Sequence, residues 1–413
     1  MMCPLVPDDL VEEILLELPL KSILRFKTLS KQWRSTLESR SFAERRMNSK
    51  KVPKKLKIMA AGDRNLFEGD EEVEMIYLNC DVASRPSLSC DGLLCIPVPG
   101  WINILNPSTG EFLRFPSGPD PLIIDSLKHV DARFDVFPGC WTMGFGRDKV
   151  SGSYKVVRFL FDSYHYQHCY CEILDVNIGE WRKLSTPPPY YMGYSNKSAC
   201  VDGSIYWLQV IVSFKILAFD LHTEEFRDVP RPDEVYENSG SGQGQLVNLE
   251  DRLALALTYT TRFHWNVKIW TMDAHELTWS VTYSIRLFPK EMCSINMMLW
   301  DLPLWFWTRP VAVSKRGNLL FHDNEKRLFK YYPETDEVRV VHRGICVISP
   351  FVENLLPLPR ISDSVPETRT YGLQYLDHPP RFQKISDFLR RLETPNVLLT
   401  TAALALVALV LFS

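Results

Sequence analysis

The chain has 413 residues, of which 46% are apolar and 23% charged, enough for a large core and more than one domain of average size. A formal charge of −3 gives no overall basicity of the kind that neutralises nucleic acid. The ten cysteines form no C-x-x-C pair; several sit in apolar runs such as Leu94-Cys95-Ile96 and Ala199-Cys200-Val201, where a free thiol acts as a small hydrophobe in a reducing compartment. Asp8 and Asp9 near the start argue against a secretory signal, so the glycosylation acceptor Asn196-Lys197-Ser198 is expected to stay idle.

Residues 1–47 read as a module of three or four short helices. Asp9 with Glu12 resembles a capping box, and Leu10, Ile14, Leu15 and Leu18 recur at helical spacing until Pro19 ends the first helix. Ser22, Ser30 and Ser41 are candidate caps for the helices that carry Leu24 and Phe26, Trp33 and Leu37, and Phe42. A module of about forty residues rarely buries enough surface to be stable alone. Its surplus apolar side chains either pack on the following domain or await a partner protein.

The string Val6-Pro7-Asp8-Asp9-Leu10-Val11-Glu12-Glu13-Ile14-Leu15, continued by Leu18-Pro19-Leu20-Lys21-Ser22-Ile23-Leu24-Arg25-Phe26-Lys27 and Ser30-Lys31-Gln32-Trp33-Arg34-Ser35, closely resembles the F-box of plant proteins. Val6 and Leu29 stand where leucine and valine are usual, and both substitutions keep the site apolar. The resemblance implies a small helical bundle that docks on a Skp-type adaptor and, through it, a cullin. It also implies adaptor contacts for Pro7, Leu10, Ile14, Leu15, Leu18, Pro19, Leu24, Phe26, Ser30, Lys31 and Trp33.

Residues 48–72 read as a charged linker. Eight basic residues and one acid lie between Arg40 and Lys57. Lys50-Lys51-Val52-Pro53-Lys54-Lys55 reads either as a nuclear import signal or as solvated linker. The acidic stretch Glu68 to Glu74 is expected to face the basic run across a domain junction.

Residues 73–356 read as an all-β repeat. A tight hairpin at Asp91-Gly92 is followed by a second across Pro107-Ser108-Thr109-Gly110, giving four short strands. The plan returns at Ser151-Gly152, Asp202-Gly203, Glu250-Asp251 and Arg316-Gly317-Asn318. An aromatic (Phe112, Trp181, Phe226, Trp279) opens the returning strand of four units and is placed to fill the space between neighbouring sheets. Four-stranded units of roughly 40–50 residues are propeller blades. Five are legible, and Val73–Leu78 with the stretch 344–348 would jointly make a sixth; a seventh within 122–145 stays open. The segments Ser89-Cys90-Asp91-Gly92-Leu93-Leu94, Asn106-Pro107-Ser108-Thr109-Gly110, Gly144-Phe145-Gly146-Arg147-Asp148, Tyr154-Lys155-Val156-Val157-Arg158 and Phe219-Asp220-Leu221 resemble the F-box-associated domain, a kelch-related propeller. That resemblance implies a domain that binds a protein or glycoprotein substrate.

No catalytic, cofactor or metal site is expected. There is no G-x-S-x-G elbow, phosphate loop or paired zinc motif, and Ser239 to Gly242 lacks the strand-to-helix setting of a phosphate loop. His165, His168, Cys169 and Cys171 cluster in sequence, but alternation along a strand sends His168 to the opposite face from the others. Trp101, Trp141, Tyr190, Tyr191, Trp265, Trp300 and Trp305 are candidates for a binding face or for blade packing.

Residues 357–381 read as a linker and 382–413 as an amphipathic lead-in followed by an apolar helix. Val397 to Phe412 carries no charge. At about 24 Å as a helix it falls short of a typical ~30 Å bilayer core. A tail anchor, a helix packed on the propeller and an unstructured tail are all open. The fold expected is therefore multidomain α plus β: a helical F-box, an all-β propeller of six blades or seven, and an apolar C-terminal helix. The function expected is substrate recognition in a Skp-cullin-F-box ubiquitin ligase, without catalysis, cofactor or nucleic acid, in cytoplasm or nucleus. The alternatives are a glycan-binding or enzymatic propeller, and a membrane-tethered scaffold with its domains in the cytosol.

Overall fold

Turn chemistry sets the β architecture. A computed structural model of the chain describes residues 8–48 apart from 30, 55–61, 67, 69–78, 87–117, 141–162, 167–190, 192, 197–209, 214–235, 243–260, 264–287 and 307–359. Asp91-Gly92, Asp202-Gly203 and Glu250-Asp251 all hold positive φ at both positions, the geometry of a tight hairpin whose twist matches its flanking strands. The second hairpin of blades I to IV, as delimited below, uses a longer turn opened by an Asn or Asp. The Asn106 side chain accepts from the Ser108 N–H, and Asp175, Asp220 and Asp273 each accept from the N–H groups two and three residues on. Gly110, Gly179, Glu224 and Leu277 then take positive φ to return the chain.

These turns join strands in chain order. β1 (Leu56–Ala61) and β2 (Val73–Leu78) come first. Blade I is β3 (Leu88–Cys90), β4 (Leu93–Val98), β5 (Trp101–Leu105) and β6 (Phe112–Pro116). Blade II is β7 (Thr142–Arg147), β8 (Tyr154–Asp162), β9 (Gln167–Asp175) and β10 (Glu180–Lys183). Blade III is β11 (Ala199–Val201), β12 (Ser204–Gln209), β13 (Lys215–Asp220) and β14 (Phe226–Val229). Blade IV is β15 (Gln243–Leu249), β16 (Arg252–Thr260), β17 (Trp265–Met272) and β18 (Trp279–Leu287). Blade V is β19 (Thr308–Val313), β20 (Leu319–Asp323), β21 (Arg327–Tyr332) and β22 (Glu337–Arg343). Each is an antiparallel meander, and β23 (Cys346–Pro350) completes a sixth sheet in the order β2-β1-β23. The propeller therefore has six blades.

The sixth blade differs from its expected form. Val73–Leu78 and the 344–348 stretch do share a sheet, but they do not pair with each other. β1 lies between them, parallel to β2 and antiparallel to β23. Residues 48–72, expected as linker, thus contain a core strand. Its lysines masked it: Lys55 and Lys57 flank Leu56, while Ile58 to Ala61 are buried. The strand joins the first and last parts of the propeller, which closes the ring and hides two sheet edges. The acidic stretch also has a different principal partner. Buried Lys330 of blade V pairs with Asp70 at 3.0 Å and with Glu72, and Glu72 further accepts from Ser314 and Asn318. From the basic run, Lys55 donates to the Asp70 backbone carbonyl at 2.7 Å.

Blades are stapled to one another by side chains. The indole N–H of Trp181 donates to the carbonyl of Pro116 at 2.8 Å, and that of Trp279 to the carbonyl of Pro230 at 2.6 Å. In both cases the aromatic that opens an outer strand reaches the end of the preceding blade's outer strand. Gly144 and Gly146 on β7 leave room for blade III: a Cβ at Gly144 would lie 2.6 Å from Ile205 and Trp207, and one at Gly146 2.6 Å from Leu221. The Trp207 N–H then donates to the Met143 carbonyl at 2.9 Å. Arg158 is buried between the rings of Trp141 and Trp181, at 4.2 and 4.1 Å, with Glu172 at 2.7 Å. The tail expected over 382–413 lies outside the described residues; among those described, no helix is long and apolar enough to cross a membrane.

Asp148 links turn and blade. It accepts from the N–H groups of Val150 and Ser151 and from Ser151 Oγ, and it lies 3.5 Å from Lys155 Nζ, which also bonds Glu224 of blade III at 3.1 Å. Burial alone would raise the Asp148 carboxyl, but these hydrogen bonds and the Lys155 charge hold it down at about 2 against an ordinary 3.8. A depressed carboxylate contributes stability above its unfolded value and loses it as pH falls toward the folded one, here worth about 2 kcal/mol. Urea titrations should therefore show stability falling between pH 4 and 2, and Asp148→Asn should lower stability at pH 7 by about 2 kcal/mol and flatten that acid limb.

Candidate functional site

The helices pack because one side of each is apolar. They are α1 (Asp8–Glu17), α2 (Leu20–Phe26), α3 (Lys31–Leu37) and α4 (Arg40–Asn48). Pro19 precedes α2 at φ −59° and supplies no side-chain cap, so Ser22 lies within the helix rather than before it. The cap of α4 is Ser39, whose Oγ accepts from the Phe42 N–H at 3.2 Å, in place of the expected Ser41. Arg45 on α4 pairs with Glu12, at 2.5 Å, and with Glu13 on α1, tying the first helix to the last.

This bundle has no separate core. Leu15, Leu16, Ile23, Leu37, Phe42 and Ala43 are buried in one cluster with Leu88, Leu93, Phe145 and Tyr154 of blades I and II and with Leu355 and Leu356 beyond the last strand. The module lies over the turns that join first to second and third to fourth strands. Arg40 donates to the Ser151 carbonyl at 3.1 Å, and Arg147 pairs with Glu44 at 2.9 Å. A Cβ at Gly152 would lie 1.8 Å from the Arg40 guanidinium, so this glycine permits the contact. Arg40 first, then Arg147, holds the Glu44 carboxyl below its ordinary range against a small cost of burial.

A strap, residues 351–358, completes the junction. Asn354 is fully buried: its side-chain amide donates to the Asp91 carbonyl (2.7 Å) and the Tyr154 hydroxyl (3.0 Å), and its side-chain oxygen accepts from the Leu356 N–H (2.8 Å). Its own N–H donates to Ser108 Oγ and its carbonyl accepts from Asn106. Glu353 pairs with Arg46 of α4 at 2.6 Å, while Arg46 also donates to the Leu16 carbonyl. Gly92 allows the approach: its φ is +80°, and a Cβ there would lie 2.2 Å from the Val352 carbonyl oxygen. The strap had no signal in sequence, because an Asn in a Pro- and Leu-rich stretch is ordinary until its partners are known.

The residues expected to contact a partner divide by burial. Ile14 is 56% exposed, and Leu29, in the turn after α2, is 67% exposed. Pro19 and Lys31 are also exposed, and Leu18, Leu24, Phe26 and Trp33 are half-buried, with the Phe26 and Trp33 rings 5.1 Å apart. Leu15 is buried in the shared core, 3% exposed. Pro7, Ser30 and the Leu10 side chain lie outside the described residues. Leucine periodicity alone did not separate Ile14 from Leu15; their opposite burial follows from which side of α1 meets the propeller.

Other aromatic side chains lie at the strand ends away from the helices. Trp101 stacks with Arg114 at 4.0 Å there, the Tyr190 hydroxyl donates to Asp228 at 2.6 Å with Lys215 over its ring, and Trp307 stacks with Arg309 at 4.9 Å. Trp141 and Trp265 are buried in blade packing, whereas Trp101 is 37% exposed. Tyr191, Trp300 and Trp305 lie outside the described residues. Of the His/Cys cluster, Cys171 is half-buried and burial pushes its thiol up to about 12; His165 and the side chains of His168 and Cys169 lie outside the described residues.

Comparison with known proteins agrees with this division. Residues 4–45 match the family model for the F-box domain, and residues 63–300 match that for the F-box associated beta propeller domain. An F-box/LRR-repeat protein of Arabidopsis thaliana is 48% identical over 372 residues, covering 85% of this chain and 82% of its own. An F-box/kelch-repeat protein from the same plant is 47% identical over 376 residues, covering 86% and 84%. A further Arabidopsis F-box protein is 47% identical over 366 residues, covering 85% and 84%.

Because Asn354 leaves several buried groups unpaired when truncated, Asn354→Ala should cost on the order of 2–4 kcal/mol, read by thermal or urea unfolding. Limited proteolysis should then release the helical module earlier than in the parent chain.

Proposed function

The chain belongs to the F-box proteins that carry an F-box-associated β-propeller, and from that membership we propose that it is the substrate-recognition subunit of a Skp-cullin-F-box ubiquitin ligase. The observation that carries this reading is the exposure of Ile14 on α1 and of Leu29 in the turn after α2, in a module whose Leu15, Leu16, Ile23 and Leu37 are already buried. Large apolar side chains left in water, in a module where Leu18, Leu24, Phe26 and Trp33 are also only half-buried, suit a protein partner. A Skp-type adaptor is that partner, and it brings the cullin.

Pro7, Leu10, Ile14, Leu18, Pro19, Leu24, Phe26, Ser30, Lys31 and Trp33 supply the adaptor contacts in this reading. Leu15 acts from the core, by fixing the helix that presents Ile14 and Leu18. The substrate protein binds on the opposite face of the propeller, where aromatic rings lie beside cations at Trp101 and Arg114. Arg and Trp are the side chains that dominate protein interfaces.

The subunit contributes no reacting group. It acts by proximity, holding a substrate lysine near a ubiquitin-charged enzyme bound elsewhere in the assembly, which raises the effective concentration of the two reactants. The shared core and the strap suit this task, since a receptor that bends freely at its junction would spread the substrate over a wider volume.

The test is adaptor capture. Ile14→Asp with Leu29→Asp should weaken binding to a purified Skp-type adaptor by about 100-fold or more, with the circular-dichroism spectrum and melting temperature retained. Trp101→Ala with Arg114→Ala should leave adaptor binding intact. Undiminished adaptor binding by the first variant would overturn the reading.

A further inference from the structure

Two cysteines from blades that do not follow one another meet across the chain. Cys90 ends β3 of blade I and Cys200 lies in β11 of blade III, with their sulfurs 3.5 Å apart and both thiols free. Blade II stands between those blades in the ring. The approach is permitted because its strand β7 carries Gly146, where a Cβ would lie 2.7 Å from Cys200 Sγ. We propose that Cys90 and Cys200 are a peroxide-sensitive pair that closes to a disulfide and ties blade I to blade III.

The chemistry balances with one equivalent of hydrogen peroxide. The Cys200 sulfur, giving up its proton, attacks one peroxide oxygen, the O–O bond breaks, and the sulfur becomes a sulfenic acid as the leaving hydroxide takes that proton to form water. The Cys90 sulfur then attacks the Cys200 sulfur. The S–S bond forms, the S–O bond breaks, and a second water leaves with the Cys90 proton. Two thiols lose two electrons in all, and peroxide gains them.

The order of attack follows from position. Cys200 is half-buried, and so within reach of a small oxidant, whereas Cys90 is buried. Hydrogen bonding to Cys200 and burial push the Cys90 thiol well above its ordinary range, which keeps it protonated until a sulfenic acid stands beside it. A disulfide needs about 2.05 Å between sulfurs, so side-chain rotation must remove the remaining gap. Cys95, by contrast, is buried in the body of blade I, where burial alone pushes its thiol up.

The cross-link would bear on the helical junction, because Cys90 directly precedes the Asp91-Gly92 turn on which Asn354 is anchored. It closes a loop spanning 110 positions, which constrains the unfolded chain strongly. The proposal is independent of the ligase reading and stands or falls on thiol chemistry.

The test treats the full chain with submillimolar hydrogen peroxide, blocks residual thiols, digests without reduction and maps linked peptides by mass spectrometry. A Cys90–Cys200 linked peptide is expected, abolished by dithiothreitol and absent in Cys200→Ser. The oxidised parent chain should melt higher than the reduced one by about 5 °C, and oxidised Cys200→Ala should show no such rise. Free thiols at both positions after treatment, oxidation of Cys200 to sulfinic acid without linkage, or the same rise in Cys200→Ala would each overturn the proposal.

Discussion

One apolar core serves both domains. Leu15, Leu16, Ile23, Leu37 and Phe42 are buried in a single cluster with residues of blades I and II and of the strap. Four short helices bury too little surface to be stable alone, and here the propeller supplies the missing side. The consequence is directional. Apolar side chains that face the propeller are withdrawn from any partner, and those on the far side, Ile14 and Leu29, are left in water.

The same contact explains why the junction is so heavily bonded with polar groups. Asn354 is fully buried, with every hydrogen-bonding part of it engaged, and buried amides of this kind fix one arrangement because alternatives leave donors unpaired. Arg46 and Arg147 add charge pairs at the edge of the apolar contact, and Arg40 a hydrogen bond to the Ser151 carbonyl. Individually such partly exposed pairs contribute little. Together with Gly92 and Gly152, which let backbone and guanidinium approach the turns, they set where the helices sit.

Much of the propeller was legible because hairpins are local. Asp91-Gly92 and Asp202-Gly203 announce their turns, and the aromatic after each second turn has the place expected of it, with Trp181 and Trp279 reaching the preceding blade through their N–H groups. The closing blade was less legible. β1 is flanked by lysines and its neighbours in the sheet come from 73–78 and 346–350, so charge composition pointed to a linker while pairing at long range made a strand. Ser39 capped α4 instead of Ser41 because a cap depends on where the first turn starts, which shifts by a residue or two without altering the apolar pattern.

The amino-acid sequence on its own determined the helical module, the four-stranded repeat and the family, since each rests on short-range spacing and on strings of residues that are read in order. Only the tertiary structure decided which half of the helical surface stays open, that Trp141 and Trp265 belong to blade packing while Trp101 reaches solvent, that residues 351–358 are a strap, and that Cys90 meets Cys200. The physical reason is common to all four. Burial and contact belong to pairs of residues distant in the chain, and nothing in the local pattern around either member records where the other one is.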